Sequence, residues 1–213
     1  MMLAYLSDNY DRIFMLFIEH LMLTLLSLLI ALLIALPVGI LLSKVKWLSV
    51  PALAVFGILY SIPSLAMFAF LIPVMGLGVK PAIIALIAYS QLILVRNVMA
   101  GFQMIDPAII EAGEGMGLSS LRLFWKIELP LALPVILGGM RIATISIISI
   151  ATIAAWINAG GLGVILFEGL YQNHTPKIFW GTISVSLLAI SANQLLLTLE
   201  KRSTLKIKGE IVK

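Results

Sequence analysis

The sequence predicts an all-α membrane protein with about five transmembrane helices, and three observations carry that prediction. Of the 213 residues, 62% are hydrophobic and only 11% are charged, and the mean hydropathy is +1.13. That leaves too few polar residues to cover the surface of a soluble protein of this size. The charges are also segregated, and each charge-free stretch is long enough for a helix to cross the hydrocarbon layer. These stretches are 21–43, 47–79, 142–167 and 178–199.

The predicted spans follow these stretches in order. The second stretch is too long for one simple helix and too short for two, so we expect a helix that bends near Pro63. No basic segment precedes the first span, so we expect no cleaved signal peptide. A sixth span within 160–171 is an alternative, which Glu168 and a glycine-rich start disfavour. The spans are predicted at 19–43, 50–74, 81–101, 139–157 and 178–199, within a single domain, 1–213.

Basic residues determine the predicted orientation, because they concentrate on the cytoplasmic side of membrane proteins. With the N-terminus outside and the C-terminus inside, eleven Lys and Arg residues lie at or near the cytoplasm, whereas Arg12, Lys80 and Lys177 lie outside. The reverse orientation would invert this ratio. The polar segment 104–134 is therefore predicted to be cytoplasmic. We interpret the basic tail, 203–213, as a topology signal.

The residue types exclude several kinds of site. The chain has no cysteine, which excludes disulfides, thiolate metal sites and a Cys nucleophile. His20 and His174 are far apart in the sequence, so we expect no metal site and no Ser/His dyad. No Gly-x-x-x-x-Gly-Lys-[Ser/Thr] pattern occurs, so we expect no enzyme activity and no bound cofactor. Because the basic residues flank spans, we expect no nucleic-acid partner.

The cytoplasmic segment contains two predicted helices. Asp106 suits the N-cap and Pro107 the first position of a short helix, which a glycine-rich turn then ends. A second, amphipathic helix begins near Ser120, and we expect Pro130 and Pro134 to break the chain as it returns to the membrane. Taken without any motif, a helix pair lying on the bilayer surface is the favoured alternative.

Residues of this segment follow a spaced pattern: Glu-Ala-Gly, three residues, Gly, nine residues, Ile, one residue, Leu-Pro. The pattern resembles the EAA motif of binding-protein-dependent ABC transporter permeases, with one departure at Gly113, where the family has Ala. The resemblance implies a MetI-like permease fold and a coupling helix that sits in a groove of a separate ATPase subunit, which uses ATP and Mg. It assigns ATPase coupling to Glu111, Ala112, Gly113, Gly117, Leu118, Ile127, Leu129 and Pro130.

Other stretches narrow the resemblance. Those that begin at Ser61, Leu129, Gly139 and Asn158 look like osmoprotectant permeases, which implies a solute such as glycine betaine, carnitine or choline. Methionine-type permeases share the five-span plan, so a methionine or other amino-acid importer is the alternative. An ion-coupled secondary transporter is disfavoured because the middles of the spans lack Asp and Glu. A membrane scaffold without transport activity is a further alternative.

The same resemblance implies a set of partners. Five helices are too few to enclose a solute path, so we expect a second permease copy or a homologue. The expected complex also has two cytoplasmic ABC ATPase subunits and an extracytoplasmic solute-binding protein. It lies among the lipids of the plasma (inner) membrane of a prokaryote.

Polar and aromatic residues within the spans are candidates for the translocation path, although small hydroxyl residues also serve helix packing. Trp156 could hold a quaternary ammonium group by a cation–π contact. A flexible glycine-rich turn is expected just outside the fourth span, where the resemblance places an outer gate. The path candidates are Ser61, Pro63, Ser64, Gln91, Ser149, Thr152 and Trp156, and the gate candidates are Gly160, Gly161 and Gly163.

Overall fold

The computed structural model describes residues 2–207 and residue 209, and every regular element in that part of the chain is helical. A π-helical turn, Phe124–Glu128, and a 3-10 turn, Ala155–Ile157, flank the seventh helix. The α-helices of the described residues are α1 (Met2–Lys44), α2 (Lys46–Ser61), α3 (Ser64–Met75), α4 (Val79–Gln103), α5 (Pro107–Gly115), α6 (Ser120–Leu123), α7 (Leu129–Ala154), α8 (Gly163–Tyr171) and α9 (Thr175–Ile207).

Among the described residues, four helical stretches are long and apolar enough to cross a membrane: α1, α4, Ser120–Ile157 and α9. The pair α2 and α3, bent by 93° at its break, is apolar enough to count as a fifth candidate span when the two helices are taken together. The bend comes where Ile62, which precedes Pro63, takes an extended conformation. The Tyr89 hydroxyl donates a 2.6 Å hydrogen bond to the Ile62 carbonyl that the break leaves free. The predicted fold class, an all-α membrane protein with about five spans, is confirmed.

The core lies where α1, α4 and α7 meet. Small side chains such as Ala31, Ala85 and Ala151 are fully buried there, which lets the helix backbones approach closely. By contrast, α2 has no buried residue, so this helix lies against the outside of the core. A second cluster, with Leu16 and Leu188 at its edges, joins α1, α7, α8 and α9.

The helix that contains the fourth predicted span begins well before residue 139, and the expected break at Pro130 and Pro134 is wrong. The stretch Ser120–Ile157 is one continuous helical body. Pro130 is the second residue of α7 and directly follows the π-helical turn, so the helix continues through it with a local irregularity. Pro134 lies inside α7, which packs closely on α4: a Cβ on Gly101 would lie 3.0 Å from the carbonyl oxygen of Ala132. This packing supports the helix on both sides of Pro134.

Two other helices also exceed their predicted spans. The first begins at Met2 instead of residue 19, and its start is tied to α9 by a 2.9 Å hydrogen bond from Trp180 Nε1 to the Met2 carbonyl. At the other end of the chain, α9 continues to Ile207. Of the predicted basic tail, residues 208 and 210–213 lie outside the described residues.

The segment 160–171 does not form a sixth span, because α8 has only nine residues. The chain instead turns back along α7 before α8 begins. Gly163 lies against α7 so closely that a Cβ there would overlap the carbonyl oxygen of Thr152. Buried Ile165 then fixes α8 in the second cluster.

Candidate functional site

The coupling helix begins as the sequence predicts. Asp106 is the N-cap of α5, and its carboxylate accepts a 2.9 Å hydrogen bond from the N–H of Ala108. Pro107 occupies the first turn, where its missing N–H costs nothing. The chain therefore enters α5 through a capped and rigid start.

Gly117 closes α5 in the left-handed conformation, with φ of +80°. The N–H of Leu118 donates to the Gly113 carbonyl at 3.2 Å, and the N–H of Gly117 donates to the Glu114 carbonyl at 2.8 Å. These two bonds form the Schellman motif that satisfies the last carbonyls of a helix. No neighbouring atom lies within 4 Å of a Cβ built at Gly117. Its backbone angle, and not a lack of space, therefore requires the glycine.

Gly113 has a different role from the one expected of it. Its side of α5 is buried against the following helix, where a Cβ would lie 2.5 Å from Leu123 Cδ1 and 3.2 Å from Ile127 Cδ1. Gly113 therefore faces other helices of its own chain. It allows α5 to pack directly on α6 and the π-helical turn.

The opposite side of these helices is a free surface. Glu111 and Ala112 are exposed on α5, and Met116, Leu121 and Trp125 are 73%, 70% and 61% exposed. We call these five residues the coupling surface. Large apolar side chains beside a carboxylate, on a segment outside the bilayer, are typical of a protein-binding surface. Of the other residues assigned to coupling, Leu118, Ile127 and Leu129 are half-buried and Pro130 is exposed.

The coupling surface also borders the inner end of the first helix. Glu111 lines a cleft of about 350 Å³ together with Pro107 of α5 and with Ser43 and Lys44 of α1. A partner that binds α5 at this cleft would contact the end of α1 as well. The carboxylate of Glu111 forms no ion pair within the described part of the chain.

The predicted outer gate is held by the first helix. The carboxylate of Glu19 accepts a 3.0 Å hydrogen bond from the N–H of Gly161. Next to it, His20 Nδ1 accepts the N–H of Leu162 at 3.3 Å, while His20 Nε2 lies 3.1 Å from the Ile148 carbonyl of α7. Since Nδ1 accepts, the proton belongs on Nε2, which donates to that carbonyl.

These contacts correct the expectation of a flexible turn. Gly160 and Gly161 both have φ of +79°, and the space above each is filled by the Glu19 and His20 side chains respectively. On the other side, the N–H of Gly78 donates a 2.7 Å hydrogen bond to the Ile157 carbonyl. The turn 157–163 is therefore anchored between α1, α7 and the start of α4, and we call it the gate turn.

Most path candidates lie on surfaces of the single chain. Ser149 is exposed and Thr152 is half-buried on α7, and Trp156 is exposed in the 3-10 turn that follows this helix. Ser149 and Thr152 donate to the carbonyls four residues earlier, at 3.0 Å each. The remaining candidates, Ser61, Pro63 and Ser64, lie together at the bend between α2 and α3.

Gln91 does not lie on such a surface. It is only 5% exposed, and its amide donates to the carbonyls of Ala31 at 3.2 Å and Ile87 at 3.3 Å. The side chain therefore joins α1 to α4 inside the core. A polar residue within a span is expensive to expose to lipid, and here a neighbouring helix carbonyl removes that cost.

Residues 27–205 match the family model described as the inner membrane component of binding-protein-dependent transport systems. The chain belongs to this family. It is an ABC transporter permease, a multi-pass component of a prokaryotic inner membrane.

The alignments with named relatives cover nearly the whole permease. It is 39% identical over 201 residues to the osmoprotectant import permease protein OsmW of Salmonella typhimurium, an alignment that covers 90% of this chain and 92% of that one. It is 34% identical over 205 residues to the glycine betaine/carnitine/choline transport system permease protein OpuCB of Bacillus subtilis, which covers 96% and 94%.

Solved structures support the fold of the permease. A chain of the MetNI methionine ABC transporter, in an inward-facing conformation, superposes with a TM-score of 0.80 at 23% identity, covering 90% of this chain and 95% of that one. At this identity the likeness concerns the fold alone. The expected MetI-like permease fold is confirmed.

The sequence did not identify several residues that contact the gate turn or lie beside it. Glu19 and His20 precede the first charge-free stretch and carry no motif, and their partners lie 142 residues further along the chain. Tyr171 accepts a hydrogen bond from Trp156 at 2.6 Å, and no sequence pattern pointed to this residue either. The adjacent glycines Gly160 and Gly161 were the one sequence feature that indicated a close approach of the backbone to another element. Within the described residues, no cluster of His, Asp and Glu side chains could hold a metal ion.

Proposed function

We propose that this permease is the transmembrane subunit of an ABC importer for quaternary-amine osmoprotectants, such as glycine betaine, carnitine and choline. The observation that carries the proposal is the alignment, over nearly the whole length of both chains, with permeases named for these solutes. The gate turn and the coupling surface lie at opposite ends of the bundle, as an importer requires.

Coupling to an ATPase is proposed for residues 111–130. The coupling surface presents exposed apolar groups around Glu111, while the other side of α5 is locked to α6 through Gly113. The helical body Ser120–Ile157 continues from this site to the gate turn. A movement of a docked ATPase would therefore displace α7 and the outer end of the permease together.

The proposed complex contains two ATPase subunits, a second permease copy or homologue, and an external solute-binding protein. ATP and Mg²⁺ are used by the ATPase subunits, and this chain acts as a transport component without enzyme activity. The exposed side of α7 and the weakly buried α2 and α3 supply surfaces that a second permease can cover. A methionine importer is less well supported, since the methionine transporter resembles this chain at only 23% identity.

Transport by a reconstituted complex tests the proposal. The permease is placed in proteoliposomes with its ATPase and binding protein, and uptake of radiolabelled glycine betaine, choline, carnitine and methionine is measured with and without ATP. ATP-dependent accumulation of a quaternary amine is the expected result. Accumulation of methionine alone would keep the mechanism and overturn the substrate class, and failure of the ATPase to bind would overturn the coupling assignment.

A further inference from the structure

Next to the gate turn lies an open cleft. It has a volume of about 580 Å³ and lies between the end of α7 and helix α8. Three of its lining residues are aromatic, and others belong to the gate turn itself. The residues that matter below are Trp156, Asn158, Gly160, Phe167, Glu168 and Tyr171.

The two largest aromatic side chains form a pair. Trp156 Nε1 donates a 2.6 Å hydrogen bond to the Tyr171 hydroxyl, and the two residues are 56% and 71% exposed. An indole N–H lies in the plane of its ring, so this bond uses the edge of Trp156 and leaves the ring faces free. The polar end of each side chain is thereby occupied, while the electron-rich faces remain available to a ligand.

One carboxylate and two cations lie beside the pair. The carboxylate of Glu168 accepts hydrogen bonds from Arg12 and, at 2.9 Å, from Lys177 Nζ. The bond from Arg12, helped by Lys177, lowers the pKa of Glu168, so the carboxylate is ionised at neutral pH. Because the two cations outnumber the one carboxylate, this group of charges is net positive and Glu168 does not attract a cation into the cleft. Recognition in this cleft falls mainly to the aromatic faces.

We propose that the cleft is a weak binding site for the quaternary ammonium group of the transported solute, with the cation held over Trp156 and Tyr171. This inference rests on the proposed function. A trimethylammonium group has no N–H to donate, so aromatic faces are better partners for it than hydrogen-bond acceptors are. A weak site beside Asn158 and Gly160 of the gate turn suits transport, because a solute has to enter and then leave.

Binding to the complex of permease and ATPase in nanodiscs, without the binding protein, tests this proposal. Saturation-transfer NMR on the ligand's methyl protons gives the affinity for glycine betaine and for choline. The decisive comparison is 3,3-dimethylbutyrate, which has the shape of glycine betaine with carbon in place of the charged nitrogen. We expect both quaternary amines to bind and 3,3-dimethylbutyrate to bind several-fold more weakly.

Substitutions locate the site. Both Trp156→Leu and Tyr171→Leu should weaken binding of glycine betaine by about two- to fivefold, the range expected for loss of one exposed cation–π partner. Trp47→Leu is the matched control, since Trp47 is 78% exposed at the start of α2, away from the cleft. Size-exclusion chromatography and ATPase activity confirm that each variant complex is assembled.

Two results would overturn the site. Equal binding of 3,3-dimethylbutyrate would show that shape and not charge is recognised, and unchanged binding in Trp156→Leu would place the ligand elsewhere. In that second case the aromatic pair would be an interfacial membrane anchor only. Uptake by the unmodified transporter separates this failure from a failure of the proposed function, because normal uptake of quaternary amines with no effect of the cleft variants overturns the cleft alone.

Discussion

At the scale of single residues, the two glycines Gly113 and Gly117 of the coupling motif are required for different physical reasons. Gly113 is required by contact, since Leu123 and Ile127 fill the space where a side chain would begin. Gly117 is required by conformation, since its surroundings are open but its φ is +80°. The same residue type therefore predicts different tolerance at the two positions.

At Gly117, a β-branched residue should be harmful and Asn should be mild. Valine in the left-handed conformation costs at least about 1–2 kcal/mol, whereas Asn adopts it more readily. We expect Gly117→Val to disturb the end of α5, to weaken ATPase binding and to reduce uptake, while the chain stays in the membrane. Co-purification of the ATPase and transport assays check this. Equal ATPase binding by Gly117→Val and Gly117→Asn would contradict the conformational explanation.

At His20, loss of the imidazole should release the gate turn. His20→Ala removes the acceptor for the buried N–H of Leu162 and the donor to Ile148, and an unsatisfied buried group costs about 1–3 kcal/mol. We expect a lower unfolding temperature and faster labelling of Asn158→Cys by an impermeant maleimide. The chain has no native cysteine to give background.

His20→Gln is the matched control, because its amide carries both an acceptor and a donor. Partial recovery of stability and of slow labelling is the expected result. If His20→Ala labels no faster than the unsubstituted chain, the gate turn is held by other contacts.

At the scale of elements, the sequence correctly predicted those features that depend on residues close together in the chain. Charge-free stretches located the spans, and Asp106 with Pro107 located the start of α5. Prediction from the sequence failed where contact with a helix distant in the chain determines the local structure. Pro134 stays helical because α4 supports α7, Gln91 is buried because α1 offers it a carbonyl, and the gate turn is fixed because α1 holds it.

The continuity of Ser120–Ile157 leads to a prediction about coupling. Two glycines inserted between Glu128 and Leu129 would weaken the helix by about 1 kcal/mol each and turn the segments it joins relative to one another. We expect the ATPase still to bind at the coupling surface, while uptake falls to background. Binding and transport are measured on the same preparation.

Pro134→Ala serves as the control in the same helix, because it keeps the helix continuous and adds back a hydrogen-bond donor. That variant should transport solute. Transport by the glycine insertion at the level of Pro134→Ala would mean that α7 does not carry the coupling.

At the scale of the whole molecule, the exposed side of α7 is where a second permease and a solute path are expected. Ser149→Trp would place a large ring on that side at little cost to the isolated chain, since Ser149 is exposed. We expect membrane insertion and ATPase binding to persist while uptake is lost. Radiolabelled uptake, corrected for the amount of protein, is the measurement.

Thr182→Trp is the matched control for this prediction. Thr182 is also exposed and also donates to the carbonyl four residues earlier, at 2.8 Å, but it lies on α9. Lipid can accommodate a ring there, so uptake should continue. An equal loss in both variants would show that the effect is not specific to the side of α7.

The first helix, α1, contacts both the gate turn and the cleft beside Glu111. Glu19 and His20 hold the gate turn, and Ser43 and Lys44 border the cleft beside Glu111. The distance between these two sites along the helix is about 36 Å at 1.5 Å per residue. Only Pro37 interrupts the hydrogen bonding between them. Through α1, a displacement at the inner cleft and a displacement at the gate turn are thus joined by one continuous helix, in which Pro37 lies nearer the Ser43 end.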